Sequence, residues 1–313
     1  MAIAGQGGDF GQGGLGQGTT GISEGLDLYG RPAWYRSVGN WLGWGGCIAA
    51  VLLIAAPIIS VLWGIIARAV PTWQWSVLTE STTAAGGGLY QEILGTLELV
   101  AGVGILAGVV GVLSGVYLAE YASGALGSLL RGASEVLAGV PSIVLGYVGY
   151  LALVVALHWK FSLAAALMVL SALTVPYIAK STETALRAVP TSYREGADGL
   201  GMSPLRSLTR ITMKAALPGI TTGWLVALAI SVGETAPLLY TAGTFTSDGP
   251  TAHLTGVPVS YLTFMVWNGW NSSFSGQKEL SYDASLVLVV LVLLLIIGSR
   301  LIVSFTQRHT EKN

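Results

Sequence analysis

The chain alternates long apolar runs with short polar connections. The runs that are apolar enough to cross a membrane cover residues 37–67, 99–119, 136–157, 161–179, 215–241 and 284–305. A helix needs about 20 apolar residues to cross the hydrocarbon core of a bilayer. The pattern therefore predicts six transmembrane helices. Only three residues, His158, Trp159 and Lys160, separate the third run from the fourth, which predicts a tight hairpin.

Composition indicates an all-α integral membrane protein. Of the 313 residues, 52% are hydrophobic and only 10% are charged, and the mean hydropathy is +0.67. An ordinary soluble domain has about 25% charged residues. The single cysteine, Cys47, excludes a disulfide within the chain and a multi-cysteine metal site. The three histidines argue against a histidine-rich metal site, so no metal or cofactor is expected in this chain.

The distribution of positive charge predicts the orientation of the six helices. With both termini in the cytoplasm, 12 of the 15 Lys and Arg residues face the cytoplasm and three face outward. Cytoplasmic connections of membrane proteins carry the excess of Lys and Arg. The three that face outward are Arg68, Lys160 and Lys278.

A basic segment, residues 180–214, separates the fourth apolar run from the fifth and carries six of the Lys and Arg residues. Residues 191–192 supply hydroxyl N-cap candidates, and Glu195 would fall in the first turn as in a capping box. Gly201 can end that helix, and Ser203-Pro204 can begin another. These features alone leave two alternatives open: an amphipathic loop on anionic lipid headgroups, or a docking surface for a soluble partner.

Within this segment a Glu-x-Ala triplet is followed by a glycine and by a hydrophobic stretch that closes on Leu-Pro. The residues of this pattern are Glu195, Gly196, Ala197, Gly201, Leu217 and Pro218. The pattern resembles the EAA loop of ABC importer permeases, although Gly196 replaces the more usual alanine and weakens a helix by about 1 kcal/mol. The resemblance implies a type I ABC importer permease fold. It also implies that these residues couple the chain to a separate ATPase.

Three further stretches narrow the resemblance. They cover residues 137–144, 183–190 and 231–239. Together with the EAA-type loop they resemble the PstA-type permease subunits of phosphate-specific ABC transporters, over residues 90–305. The resemblance implies ATP-driven import of inorganic phosphate by alternating access. The alternatives are a permease for another oxyanion, such as sulfate or molybdate, and a polytopic membrane scaffold.

The same resemblance implies a set of partners and a location. The partners are a second, PstC-like permease, a PstB-like ATPase dimer that binds ATP and Mg²⁺, an extracytoplasmic PstS-like phosphate-binding protein, and membrane lipid. The external segment 243–283 is the predicted dock for the binding protein. The chain has no Gly-x-x-x-x-Gly-Lys-Ser/Thr sequence, so we expect it not to hydrolyse ATP itself. No nucleic-acid partner is expected, and the predicted location is the prokaryotic plasma membrane.

Five residues are candidates for the phosphate pathway. Glu234 lies about 9 Å beyond the middle of the fifth run, where a carboxylate usually faces a bundle interior or a water-filled path. Thr235 and Ser142 offer neutral donors, Arg187 offers a guanidinium that matches phosphate oxygens, and Pro141 permits a helix break. Two of them have a structural alternative: Glu234 as a packing residue of a kinked helix, and Arg187 as a positive-inside anchor.

These interpretations divide the chain into four parts. Residues 1–36 are a Gly/Gln-rich cytoplasmic segment that we expect to be disordered, because it has too few apolar residues to form a core. Residues 37–92 hold the first transmembrane helix and an external loop. Residues 93–305 form the permease core, with the coupling loop at 180–214, and residues 306–313 form a cytoplasmic tail.

Overall fold

The computed structural model of the chain describes residues 33–83, 86–243 and 254–310. The first helices in chain order are α1 Ala33–Thr72, α2 Tyr90–Glu120, α3 Gly124–Gly139, α4 Ser142–Gly149 and α5 Leu163–Arg187. They are followed by α6 Thr191–Gly199, α7 Pro204–Ser207, α8 Met213–Val232, α9 Ala236–Thr241, α10 Leu262–Asn271 and α11 Ser275–Thr310. Residues 1–32 of the predicted disordered segment lie outside the described residues, and α1 begins directly after them.

Five of the described helical stretches are long and apolar enough to cross a membrane. They are Gly39–Thr72, Tyr90–Glu120, Leu163–Arg187, Pro204–Val232 and Ser275–Ser304. A sixth span results if the bent pair Gly124–Gly139 and Ser142–Ala156 is counted as one. The predicted helical membrane fold is confirmed in this form. A two-stranded hairpin, β1 Thr82–Thr83 with β2 Gly86–Gly87, is a small addition that the hydropathy pattern did not predict.

The third predicted span, residues 136–157, is not one continuous helix: it is broken at the proline that permits a break. The chain bends by 95° between α3 and α4, where Val140 and Pro141 have extended ψ angles of 129° and 130°. A residue before proline is disfavoured in the α conformation, and proline itself cannot donate a helical hydrogen bond. After α4 the helix widens into a π-helical segment, Tyr150–Ala156. His158 and Lys160 then have positive φ angles, which confirms the predicted tight hairpin.

The fifth apolar run, residues 215–241, is also not one continuous helix, and its break lies at Glu234. Helix α8 ends at Val232, and Gly233, Glu234 and Thr235 form a break before α9. Pro237 lies in the first turn of α9, where a backbone N–H has no partner within the helix. Because proline carries no N–H, the helix can begin there without losing a hydrogen bond. At its other end, α8 continues from α7 through a π-helical segment, Leu208–Thr212.

Residues 63–313 form one compact unit, and the part of α1 through Leu62 forms another. In the larger unit, glycines bring α2, α5 and α8 close together. A Cβ atom at Gly111 of α2 would lie 2.7 Å from the side chain of Ile178 on α5. A Cβ at Gly223 of α8 would overlap the side chain of Ser181 on α5. In a bilayer such small residues allow helices to pack backbone against backbone.

Candidate functional site

The EAA-type segment folds as a short helix, a glycine turn and a second helix. Helix α6 ends at Gly199, and Gly201 has φ +67°, a conformation that favours glycine. Ser203 is the N-cap residue of α7 and Pro204 its first residue, so this part of the prediction is confirmed. The predicted capping box is wrong: Pro190 is the N-cap residue of α6, and no side chain caps the helix.

Helix α6 has one buried position and a broad exposed face. Ala197 is only 1% exposed and packs toward the helix bundle. Glu195 and Gly196 are exposed, and nothing lies within 4 Å of a Cβ built on Gly196. Two large apolar side chains at the following turn, Leu200 and Leu205, are 81% and 64% exposed. Exposed apolar side chains grouped with polar ones are typical of a protein-docking surface.

A bidentate ion pair fixes α6 to the end of α2. The two terminal nitrogens of Arg194 donate to the two carboxylate oxygens of Glu120, at 2.8 and 2.6 Å. Arg194 also donates to the carbonyl oxygen of Leu186 on α5, at 3.4 Å. A guanidinium that meets a carboxylate in this paired geometry fixes both position and orientation. These bonds therefore tie α6 to both α2 and α5.

Two more arginines bind the same end of α2 through a shared carboxylate. Glu183 of α5, which is almost fully buried, accepts from the Nε atoms of Arg131 at 2.8 Å and Arg187 at 3.0 Å. Both arginines also donate to the carbonyl oxygen of Leu118. Positive charge beside unpaired carbonyl groups is favourable at a helix C-terminus. The cluster ties α2, α3 and α5 together beside the coupling helix.

The sequence reasoning missed three members of this cluster: Glu120, Arg131 and Glu183. Glu183 carried a local signal, because it lies four residues before Arg187 on one helix face. Arg187, predicted as a phosphate donor, donates instead to two protein groups, the carboxylate of Glu183 and the carbonyl oxygen of Leu118.

The other four predicted pathway residues lie at the two helix breaks. Pro141 and Ser142 begin α4, and Glu234 and Thr235 precede α9. The two short helices pack together, since a Cβ at Gly146 of α4 would lie 2.5 Å from the Cα atom of Pro237 in α9. The structure therefore brings these four residues onto a packed pair of helices.

The main chain of Glu234 is held on both sides. Its N–H donates to the carbonyl of Ser231 at 3.2 Å, and its carbonyl accepts from Oγ1 of Thr263 at 3.1 Å. Thr263 belongs to α10, so the break is held by a helix that lies within the predicted external segment 243–283.

Two cavities lie side by side along α5. The first, of about 580 Å³, is lined by α3, α5 and Gly219, and the second, of about 460 Å³, by α5, α8 and Val303. They share Tyr177, Ser181 and Gly219 and so form one continuous space, which we call the α5–α8 groove. None of the five predicted pathway residues lines either cavity. Pro218, predicted as part of the coupling pattern, lines the second.

A much smaller cavity lies inside the bundle, next to the break that precedes α9. A cavity of about 10 Å³ lies between α2, α5, α8 and α9, beside Ser231 and Tyr261. That volume is close to the minimum for a single water molecule and is too small for a phosphate ion.

The helical bundle, with the exposed helix α6 fixed to it, has the fold of the permeases of ABC importers. The fold aligns with an inward-facing structure of the MetNI methionine ABC transporter at a TM-score of 0.57, covering 70% of this chain and 97% of that chain. The sequence identity in this alignment is 22%, so the likeness concerns the fold.

Sequence comparison defines the family within that class. Residues 111–312 match the family described as "Binding-protein-dependent transport system inner membrane component". The chain is 51% identical to the phosphate transport system permease protein PstA 2 of Mycobacterium bovis, over 89% of this chain and 92% of that protein. It is 34% identical to the PstA permease protein of Yersinia pestis, over 87% and 92%. The chain therefore belongs to this family, as a multi-pass membrane protein and a PstA-type permease.

Proposed function

We propose that this chain is the transmembrane permease subunit of an ATP-driven importer of inorganic phosphate. The observation that carries the proposal is helix α6, which exposes Glu195 and Gly196 while Arg194 holds it to the body of the bundle. If a soluble partner moves a helix that is exposed and anchored in this way, the movement is transmitted to the membrane helices. The names of the relatives, which are phosphate transport permeases, support phosphate as the substrate.

We infer the partners from the parts of an importer that this chain does not supply. We assign ATP and Mg²⁺ binding to a separate, PstB-like ATPase dimer that docks on α6. A second, PstC-like permease completes the pathway, and a PstS-like binding protein delivers phosphate to the external segment 243–283. The coupling roles of Glu195, Gly196, Ala197, Gly201, Leu217 and Pro218 belong to this proposal.

The location and orientation are part of the same proposal. The chain lies in the prokaryotic plasma membrane with both termini and α6 in the cytoplasm. The charge bias of 12 cytoplasmic Lys and Arg residues against three external ones supports this orientation.

Uptake measurements test the substrate assignment. Cells that lack this chain should regain uptake of radiolabelled phosphate when the chain is supplied, and excess unlabelled sulfate or molybdate should not compete. Competition by either anion would favour the oxyanion alternative. If phosphate uptake were the same with and without the chain, the membrane scaffold alternative would be favoured.

Charge reversal at Glu195 tests the docking surface. Glu195→Arg should lower ATP-driven uptake at least tenfold and weaken co-purification of the ATPase, because the exposed carboxylate becomes a cation at the contact. Gly196→Ala is the matched control: it lies next to Glu195, meets open space, and strengthens the helix by about 1 kcal/mol. The docking role would be refuted by normal co-purification and uptake in Glu195→Arg.

Removal of the carboxylate tests the role of Glu234. Glu234→Ala should reduce uptake several-fold while the amount of chain in the membrane stays unchanged, because the main-chain bonds that hold this break remain. Quantitative immunoblotting separates the two effects. Undiminished uptake would reduce Glu234 to a packing residue.

A further inference from the structure

The α5–α8 groove runs lengthwise along two antiparallel helices. Its lining extends on α5 from Pro176 to Ala188 and on α8 from Pro218 to Ile230. Each stretch is about 18 Å long at 1.5 Å per residue. The stretch of α8 lies within the fifth apolar run, whereas the stretch of α5 begins at the end of the fourth run and continues into the basic segment that follows it.

Three hydroxyl groups that line the groove, those of Ser134, Tyr177 and Ser181, make no hydrogen bond within the described residues, and two of them lie where the two cavities meet. Thr184 and Thr222 also line it, but their hydroxyls already donate to the carbonyl groups of Lys180 and Pro218, each at 2.8 Å. Tyr177 and Ser181 line both cavities, and their hydroxyls make no hydrogen bond within the described part of the chain. A hydroxyl with an unused hydrogen can donate to a phosphate oxygen.

Ser181 is held at the narrowest contact between the two helices. Gly223 lies directly opposite, so close that any side chain there would overlap the serine. On the same face, a Cβ at Gly219 would come within 2.9 Å of Ala185. This packing fixes Ser181 at the neck where the two cavities meet, with Tyr177 one helical turn away.

The electrostatics of the groove suit an anion that must pass without being trapped. No charged residue lines the second cavity, so no carboxylate there repels phosphate. The first cavity is lined by the cations Arg131 and Lys180 and the carboxylates Glu135 and Glu183. Both cations are paired there, Arg131 with Glu183 at 2.8 Å and Lys180 with Glu135 at 3.8 Å, so the first cavity adds little net charge. Neutral donors bind an anion weakly enough for release, as conduction requires.

We propose that the α5–α8 groove is this chain's half of the phosphate path, and that the hydroxyls of Tyr177 and Ser181 donate hydrogen bonds to phosphate as it passes. This inference rests on the proposed function. The groove is open on one side, where the second permease supplies the opposite wall.

Loss of either donor should raise the KM for phosphate uptake. Ser181→Ala and Tyr177→Phe should each raise it about tenfold, the usual effect of losing one hydrogen bond to a charged group. Thr222→Val is the matched control, because it lies in the same groove with a hydroxyl that already donates to Pro218. An equal rise in all three variants, or no rise in the first two, would overturn the assignment of the donors.

Thiol labelling in the assembled transporter tests the path itself. In a Cys47→Ser background, Ser181→Cys and Tyr177→Cys should react with a membrane-impermeant anionic methanethiosulfonate reagent supplied from the cytoplasmic side, with loss of uptake. Inorganic phosphate should slow the reaction. Met168→Cys, an exposed apolar position on α5 outside the groove, should not react. Two cysteine positions guard against one variant that fails to fold.

The outcomes separate this inference from the proposed function. Unreactive thiols at both positions, or labelling without loss of uptake, would overturn the path while phosphate uptake by the unmodified chain stayed intact. Absence of phosphate uptake by the unmodified chain would instead overturn the proposed function.

Discussion

Gly223→Leu should remove most of the folded chain from the membrane. A side chain at this position would overlap Ser181, so α5 and α8 could not keep their backbone contact. Overpacking of a tight contact usually costs about 1–3 kcal/mol, and a leucine at a backbone contact between membrane helices belongs at the upper end. The yield of monodisperse protein in detergent and its thermal unfolding temperature measure the effect.

Gly298→Leu is the matched control for that experiment. Gly298 lies in the apolar helix α11, and nothing lies within 4 Å of a Cβ built there. Its replacement should leave yield and unfolding temperature close to those of the unmodified chain. Equal losses in both variants would mean that leucine is harmful for another reason, and no loss at Gly223 would contradict the packing described here.

The second large effect is expected at the ion pair that anchors α6. Arg194→Glu places a second carboxylate against that of Glu120, whose side chain is only 15% exposed. Repulsion between the two carboxylates should displace α6. Phosphate uptake should fall more than tenfold, while the isolated ATPase keeps its own hydrolysis rate. The measurement is phosphate transported per ATP hydrolysed in proteoliposomes.

The charge-swapped double variant isolates the pair. Glu120→Arg combined with Arg194→Glu restores opposite charges and should recover a substantial part of the uptake that each single variant loses. A double variant no better than the worse single variant would show that the two residues act separately, and that α6 is held by other contacts.

The sequence predicts local features of this chain well. The turn after α6 was predictable because Gly201 permits a positive φ and Pro204 suits the start of a helix. The six apolar runs were predictable from hydropathy alone. Pro141 indicated that the third run could break, but hydropathy did not show that it does, because a run of apolar residues looks the same whether the helix is straight or broken.

The anchoring cluster was beyond local reasoning because its members are distant in sequence. Arg131 and Glu183 are 52 positions apart, and Arg194 and Glu120 are 74 apart. The α5–α8 groove was missed for a related reason. Small residues at 219 and 223 indicate close packing, but only the arrangement in space shows which helix approaches and which hydroxyls are left with a free hydrogen.

The π-helical segment Leu208–Thr212 gives the coupling loop a particular sensitivity to chain length. A π-turn holds about one residue more than an α-turn, and one residue corresponds to about 100° of rotation about a helix axis. Deleting a single residue here would convert the segment to α-helix and swing α6 and α7 around α8 by that angle. The exposed face of α6, which we propose as the docking surface, would then point in another direction although each of its side chains is intact. The direction in which this chain presents α6 is therefore set by the number of residues in the segment.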